Sequence, residues 1–424
     1  MRRRVDAVRV TPALGRALVA LGITLVMAAG VAFAAASPPS GDPLGAMVGY
    51  LQRAQHLDGG FGAAAGMPSD PGLTAWVAIA LATAGINPHD QAKPGGRDVH
   101  SYLVAHAREL DVTTDFARAA LTAIAAGTSL RDFGGIDLVQ RIIERQRPDG
   151  AFAHVDGGAG GVNDTIFAVI SLSRVQDAAV RARLDAATDW IVAAQNPDGG
   201  WPAVVRGGPT DLDMTGAAIQ ALNAIGRRGT PAETRALALL RRLQHPDGGF
   251  PSMAHDPESN SATTAWVVQG IWSGGGDPRD WRHPDSGMDP LDYLASLQQP
   301  DGSIAWKRGN LTNALWMTAY AAPAYAGHPL PPPTVPRARR PSDPPPGNEE
   351  PPPVAPPPGD GDGHGGDDPG GAGAALAGGG GAGAPRFSRP RPQSRGRVVG
   401  GARRTRDAGA RRRPPAATGD PAPP

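Results

Sequence analysis

Few side chains in this 424-residue chain could carry out chemistry, and the sequence excludes several kinds of site. It has no cysteine, which excludes a thiolate nucleophile, a thiolate-bound zinc ion and an iron–sulfur cluster. The ten histidines are scattered, and four of them lie in or beside predicted turns, where a solvent-facing role is usual: His56, His154, His245 and His255. We therefore expect neither a metal site nor a cofactor.

Two carboxylates, Asp211 and Asp213, stand at the start of an apolar helix that the sequence predicts over residues 213–225. Aspartate at a helix start accepts hydrogen bonds from free backbone N–H groups and suits the positive end of the helix dipole. Asp70 and Asn260 hold comparable places, each four residues before a threonine, as Asp211 is. Because every helix needs a cap, we expect both Asp211 and Asp213 to be caps.

Aromatic residues follow the starts of the same apolar helices. In four units an aromatic stands two residues after the threonine at the helix start, and we assign Trp316 to the corresponding level of a fifth unit: Trp76, Phe116, Phe167, Trp266 and Trp316. If these helices run parallel in a ring, the aromatics lie at one level and line an apolar mouth rimmed by Asp, Asn and Thr, with Asp70 and Asn260 in the rim. That makeup suits a small-molecule pocket; alternatively, the aromatics only fill the interior.

A glutamine-to-aromatic repeat must position these residues. An aliphatic residue stands four before the glutamine, Asp three after it, Gly four after it and a bulky apolar residue six after it. The five glutamines are Gln55, Gln146, Gln195, Gln244 and Gln298. A degenerate sixth unit, with Ala107 in place of glutamine, fills the long step between the first two. Recurrence at fixed spacing predicts a repeat architecture.

Each unit predicts two helices. The first is amphipathic and ends at an Asp-Gly turn, whereas the second is apolar nearly all round, which is typical of a buried helix. Six such hairpins over residues 43–328 predict an all-α fold with the apolar helices inside. A closed ring fits this division best, although an open solenoid would also satisfy the periodicity.

The two flanks differ from this domain in composition. Residues 1–36 read as a signal peptide, with a basic start and an apolar run, so we expect export to the cell envelope or beyond; an uncleaved anchor is the alternative. Residues 329–424 are rich in Pro, Gly and Arg and are expected to be disordered. Both flanks are basic, which leaves the domain acidic and argues against a nucleic-acid partner. The Arg-rich tail could contact an anionic envelope polymer or lipid.

The repeat resembles the "QW" motif of the prenyltransferase/squalene-cyclase (terpenoid cyclase) superfamily. The segments that carry the resemblance are Tyr50-Leu51-x3-Gln55-x3-Gly59-x-Phe61 and, most closely, Trp190-Ile191-x3-Gln195-x3-Gly199-x-Trp201. It implies an α/α toroid of six helical hairpins in which the second helices surround a central cavity. It also implies that the glutamine and the aromatic join successive outer helices. The zinc-dependent branch of the superfamily requires a cysteine ligand, which this chain lacks.

A second branch, the class II terpenoid cyclases, uses an Asp-x-Asp-Asp motif. Asp211-Leu212-Asp213-Met214 resembles it, with Asp213 as the proton donor and Met214 in place of the last acid. Those cyclases generally pair two helical domains, and this chain predicts one. We therefore expect, first, non-catalytic binding of an apolar or amphipathic small molecule in the central cavity. The alternatives are a cyclase-like isomerase that acts on a polyprenyl substrate, or a cell-surface scaffold for protein or glycan.

Overall fold

The computed structural model describes residues 41–64 and 66–338, so the predicted signal peptide and most of the predicted tail lie outside the described residues. The described part contains twelve α-helices. In chain order they are α1 (Pro43–Ala54), α2 (Pro71–Thr83), α3 (Val99–Ala105), α4 (Thr113–Ala126), α5 (Leu138–Ile143), α6 (Val162–Leu172), α7 (Ala178–Ala193), α8 (Leu212–Ala224), α9 (Pro231–Leu243), α10 (Ser261–Ser273), α11 (Pro290–Ser296) and α12 (Ala314–Ala326).

Short extended segments connect some of these helices. Strand β1 (Phe152–Ala153) pairs antiparallel with β2 (Gly160–Gly161), and β3 (Trp201–Pro202) pairs antiparallel with β4 (Thr210–Asp211). Single 3₁₀ turns lie at Ala107–Glu109 and Pro278–Asp280. No helix in residues 41–64 and 66–338 is long and apolar enough to cross a membrane.

The six even-numbered helices form a closed inner barrel. Each one packs against the next, and α12 packs against α2, which closes the ring. Eleven of the 13 residues of α2 are buried, because this helix faces neighbours on every side. The odd-numbered helices lie outside, as in α9, whose buried residues alternate with exposed charges. The all-α toroid of six hairpins is thus confirmed, and the open solenoid is excluded.

The repeat glutamines join neighbouring units through their side-chain amides. Gln195 Nε2 donates to the carbonyl oxygen of Gly199 in its own turn and to that of Ala232 in the next unit, both at 2.7 Å. Gln55, Gln146 and Gln244 make the same pair of bonds. Gln298 Nε2 donates to Pro43 O at 2.8 Å and so joins the last unit to the first.

The helix-start threonines fasten the inner helices to these turns. Thr215 Oγ1 accepts a hydrogen bond from Trp201 N at 3.1 Å, and four other units repeat this contact. Since the last apolar residue of each motif donates the bond, the outer turn sets the rotation of the inner helix. The register of inward-facing side chains therefore follows from the repeat.

The C-terminal boundary of the domain lies further along than residue 328. Residues 328–338, which we call the strap, cross the carboxyl ends of the inner helices. Val335 N donates to Ala125 O at 3.0 Å, and Leu330 N donates to Gln220 Oε1 at 2.9 Å. Leu330 and Val335 are buried. The prediction of disorder from residue 329 is wrong for the strap, because its backbone satisfies polar groups left free at the helix ends.

Candidate active site

Asp211 and Asp213 have different roles at the start of α8. Asp211 is the N-cap, with extended backbone angles (φ −116°, ψ 127°), and its Oδ1 accepts from Met214 N at 2.8 Å. Asp213 lies within the first helical turn. Our expectation that both aspartates are caps is correct for Asp211 and wrong for Asp213. The second residue of a helix has helical backbone angles, and the Asp213 side chain is directed to the barrel interior instead.

A neighbouring helix supplies the hydrogen-bond partner of Asp213. Thr263 Oγ1 donates to Asp213 Oδ1 in a short hydrogen bond. Asn260 Nδ2 donates to the same Thr263 oxygen at 3.0 Å, so the hydroxyl hydrogen is left for Asp213. Gly216 allows this approach of α8 to α10, since a Cβ there would lie 2.5 Å from Trp266 O.

The environment of Asp213 favours its protonated form. Burial, and then the neighbouring charge of Asp211, raise the pKa of Asp213 to about 7. Burial also raises the pKa of Asp211. Two adjacent carboxyls do not ionise independently, so the pair retains a proton near neutral pH. Asp213 keeps partial solvent contact where it borders a cavity, while protein atoms surround it on its other sides.

The cavity beside Asp213 has a volume of about 220 Å³ and is largely aromatic. Its lining residues come from the amino-terminal halves of the inner helices: Trp76, Thr114, Arg118, Asn163, Phe167, Asp213, Met214, Trp266, Trp316 and Tyr320. The ring centroids of Trp76 lie 5.8 Å from those of Phe167 and 5.5 Å from those of Trp266, in edge-to-face contact. The aromatics thus pack against one another and also border the free space.

A second cavity of about 440 Å³ adjoins the first and shares Arg118 and Trp316 with it. Among the residues that the structure describes, Arg118 is the one cationic side chain that lines either cavity. Its Nη2 pairs with Asp115, whereas its buried Nε has no hydrogen-bond partner within residues 41–64 and 66–338. Asp70 and Glu109 also line the second cavity, so its polar part is more acidic than basic.

Four of the five predicted aromatics border the cavity beside Asp213, and Phe116 does not. Phe116 is buried between layers, with the Arg145 guanidinium carbon 4.9 Å from its ring centroid. On α4 the cavity contacts Thr114 and Arg118, which are four residues apart and share one face. Phe116 stands midway between them and therefore points to the outer layer.

The two predicted polar rim residues are helix caps. Asp70 Oδ1 accepts from Leu73 N at 2.7 Å, and Asp70 also borders the second cavity. Asn260 caps α10 by accepting from Thr263 N at 2.9 Å and does not border the cavity beside Asp213. Asn260 acts on the site only through the Thr263 hydroxyl.

Sequence reasoning missed Thr263 and Arg118, and it gave Trp316 the place that Tyr320 holds, two residues after the helix-start Thr318. One signal was available for Asp213 itself: it stands two residues before the helix-start threonine, where the other units that share this register carry no acid. The residues at that place are Gly72, Asn163, Ala262 and Trp316. An acid that occurs at this position in only one unit is not needed to form the repeat, which indicates a functional role for Asp213. The cap position of Asp211, by contrast, recurs in other units.

Comparison with known proteins places the chain in a family. The sequence profile of the prenyltransferase alpha-alpha toroid domain matches residues 24–117, 116–265 and 215–313, which together make up more than half of the chain. The chain belongs to this family. The toroid predicted from the repeat is therefore also supported by sequence comparison.

Two drimenyl diphosphate synthases are among the curated relatives of this chain. The one from Streptantibioticus cattleyicolor is 31% identical over 197 residues, which is 45% of this chain and 37% of the relative. The one from Streptomyces showdoensis is 29% identical over 195 residues, which is 45% of this chain and 34% of the relative. The chain thus matches about a third of the length of these relatives.

Solved structures with a similar fold include the type II terpene cyclase MstE from Scytonema. A variant in complex with geranylgeranyl dihydroxybenzoate aligns with a TM-score of 0.50 and 18% identity, over 67% of this chain and 96% of the cyclase. Apo MstE aligns equally well, at 17% identity. Nearly the whole cyclase chain is therefore covered by this one toroid. Although class II cyclases generally pair two helical domains, MstE has nearly the same single-toroid extent as this chain.

Proposed function

We propose that this protein is a class II terpene cyclase-like isomerase and that Asp213 protonates a polyprenyl substrate. One observation carries the proposal: a carboxyl that keeps its proton near neutral pH borders an aromatic cavity. The terpene cyclases among the relatives and similar folds support this alternative over the non-catalytic binding that the sequence first favoured.

The reaction begins with proton transfer from the Asp213 carboxyl to a carbon of the substrate's terminal alkene. The new C–H bond leaves a tertiary carbocation, which an internal alkene attacks to form a ring. The final cation loses a proton to solvent, from which Asp213 is reprotonated, so substrate and product are isomers. The rings of Trp76, Phe167 and Trp266 border this space, and aromatic faces attract cations by about 0.5–2 kcal/mol each.

Met214 holds the place of the last acid of the cyclase motif, so another group must orient Asp213. Thr263 takes that part, because its hydroxyl donates to Asp213 Oδ1 and leaves the proton for Oδ2. Met214 borders the cavity and adds apolar surface. The aromatic part of the lining limits the approach of water to the cation.

The substrate must occupy more than the cavity beside Asp213. Its volume of about 220 Å³ is below the range usual for ligand pockets, about 300–1,000 Å³. The adjoining cavity of about 440 Å³ supplies the remaining space. We infer that the prenyl chain extends across Trp316, which borders both cavities, with its reacting end at Asp213.

Incubation of the purified full chain in deuterated water tests the proposal. The probes are farnesyl diphosphate, geranylgeranyl diphosphate and squalene, and the products are analysed by mass spectrometry. We expect a cyclic isomer that carries one deuterium from solvent, and Asp213→Asn should abolish it. A matched control is Asp177→Asn at the cap of the outer helix α7, where asparagine caps equally well.

Non-catalytic binding is the second candidate, because the same cavity could hold a ligand without reaction. Native mass spectrometry of protein purified from its host separates the two functions. A ligand retained equally by the wild type and by Asp213→Asn, with no isomer formed from any probe, would replace the enzyme proposal.

A further inference from the structure

Two histidines and an aspartate meet on the outer layer, away from the aromatic cavity. His89 lies in the segment between α2 and α3, Asp98 is the N-cap of α3, and His100 lies in its first turn. One potential ligand atom from each lies within 4.8 Å of the other two. In the described part of the chain this is the one group of three such residues.

The three side chains approach one another without forming hydrogen bonds among themselves. His89 Nδ1 and Asp98 Oδ1 are 3.7 Å apart, which is too long for a hydrogen bond. Two ligand atoms bound to one tetrahedral zinc ion, each at about 2.0–2.1 Å, lie about 3.3 Å apart. The observed separation therefore needs only a small contraction to accommodate an ion.

Surrounding groups hold the ligands in place. His100 Nε2 lies 3.2 Å from Thr128 Oγ1, and in the tautomer in which this nitrogen donates, His100 Nδ1 carries the free lone pair. Asp98 Oδ2 accepts from Ser101 Oγ at 2.7 Å. Metal-binding histidines and carboxylates are commonly oriented by such outer contacts.

A cation lies near the three ligands and is paired. Arg337 Nε donates to Asp90 Oδ1 at 2.9 Å, which offsets the charge of the guanidinium beside the cluster.

We propose that His89, Asp98 and His100 form a binding site for a zinc-class transition-metal ion. Two imidazoles and one carboxylate favour Zn²⁺, Co²⁺ or Ni²⁺ over Mg²⁺ or Ca²⁺, which prefer oxygen ligands. His89 and Asp98 are partly exposed, so solvent reaches the fourth coordination position. The ion would join the α2–α3 segment to α3 beside the strap, at the barrel end opposite Asp213.

His89 and His100 must rotate relative to each other to bind one ion. Their ring centroids are 3.9 Å apart and their planes are tilted by 33°, so the rings are nearly stacked. An ion lies in the plane of each imidazole that binds it, which requires the rings to open toward their ligand edges. His89 is partly exposed, so its ring can move outward.

The test uses untagged full-length protein freed of metal with a chelator. Co²⁺ titration should give visible absorption bands that saturate at one equivalent. Zn²⁺ should displace Co²⁺, raise the melting temperature of the protein and show binding in calorimetry. Mg²⁺ should not bind. His89→Gln and Asp98→Asn should each weaken Co²⁺ binding at least about tenfold. Asp98→Asn retains a residue that caps α3 well, so it separates metal binding from folding.

A matched control is His154→Gln. His154 Nδ1 also faces a carboxylate, Asp164 Oδ1 at 2.9 Å, but in a pair without a third ligand. This variant should bind Co²⁺ as the wild type does. The proposal fails if the wild type takes up no stoichiometric Co²⁺, or if His89→Gln and Asp98→Asn bind it unchanged while their circular dichroism remains native.

Discussion

The two ends of the inner barrel differ in how the free backbone groups of the helix ends are satisfied. At the carboxyl end, the strap supplies donors to carbonyl groups, as in the bond from Val335 N to Ala125 O. At the amino end, single side chains such as Asp211 cap the helices and leave the interior between them open. The sealed end contributes stability, and the open end is where Asp213 meets free space. A reactive group and a closed surface are thus kept at opposite ends of one barrel.

The largest expected effect comes from removing the acid at the open end. Asp213→Asn keeps an acceptor for Thr263 Oγ1 but removes the transferable proton. Loss of a general acid costs about 10²–10⁴-fold in rate. We expect kcat for cyclisation to fall by at least that factor while the circular dichroism stays unchanged. Activity within severalfold of the wild type would remove Asp213 from the mechanism.

The next effect concerns pH. Because the protonated form of Asp213 donates, kcat/KM should be constant below neutral pH and fall about tenfold per pH unit above it, since the pKa is raised to about 7. Asp211→Asn removes the like charge that contributes to this rise and should move the inflection to lower pH. A pH–rate profile with the same inflection in both proteins would contradict this electrostatic account.

Stability should respond to the same proton. In the unfolded chain an Asp has a pKa of about 3.9, so between that pH and neutrality the folded state binds more protons than the unfolded state. This contribution to stability is complete below the unfolded pKa and is lost as pH rises through the folded one. Asp213→Asn should therefore flatten the dependence of the unfolding free energy on pH between 4 and 7, measured by urea titration.

A smaller effect should follow at the sealed end. Asn87 Nδ2 donates to Ala126 O at 3.3 Å and to Val335 O at 2.5 Å, so Asn87→Ala leaves two buried carbonyls without this donor. A cost of about 1–3 kcal/mol is expected, seen as a lower urea midpoint, with cyclisation unchanged. Gln140→Ala at an exposed position of α5 is the control and should shift the unfolding free energy by no more than about 0.5 kcal/mol. A large loss of activity in Asn87→Ala would mean that the two ends are coupled.

The smallest effect is expected for Trp316→Phe. Trp316 borders both cavities and is half-buried, so a smaller ring should widen the passage between them. We expect a severalfold change in KM or in the ratio of products, measured with the best probe, and little change in melting temperature. An identical product pattern would argue against passage of the substrate across Trp316.

The fold could be predicted because its signals are local and repeated. The spacing from Gln195 to Trp201 fixes a turn, and the same spacing in five units predicts a helical repeat, whereas the closure of the ring is shown by the packing of α12 against α2. The prediction that Phe116 lines the cavity was wrong, because its degenerate unit lacks the glutamine turn that sets the rotation of the inner helix in the other units. A displacement of two residues turns a side chain by about 200° around a helix, which is enough to move it from the cavity to the outer layer.

The site could be predicted only in part. The aspartate pair and most of the aromatics were identified from the sequence. Whether Asp213 caps the helix or acts as an acid depends on its backbone angles, which the sequence does not show. Thr263 lies 50 residues from Asp213 in the chain, and only the close packing at Gly216 brings them together. The strap was missed because a Pro-rich segment suggests disorder, although proline has no backbone N–H that could be left without an acceptor where the chain crosses helix ends. Export and cleavage at residue 36 remain predictions.

The bond from Gln298 to Pro43 has a consequence for how this domain is made. It joins residues that are 255 positions apart, and it closes a ring whose first and last units also pack helix against helix. Contacts of such long sequence separation slow folding, because a large loop must close before they form. The nascent chain therefore cannot complete its barrel until the sixth unit has been synthesised. Until then the first hairpin and the most recently synthesised one each expose an apolar face. Such exposed apolar surface favours binding of the unfinished domain by chaperones.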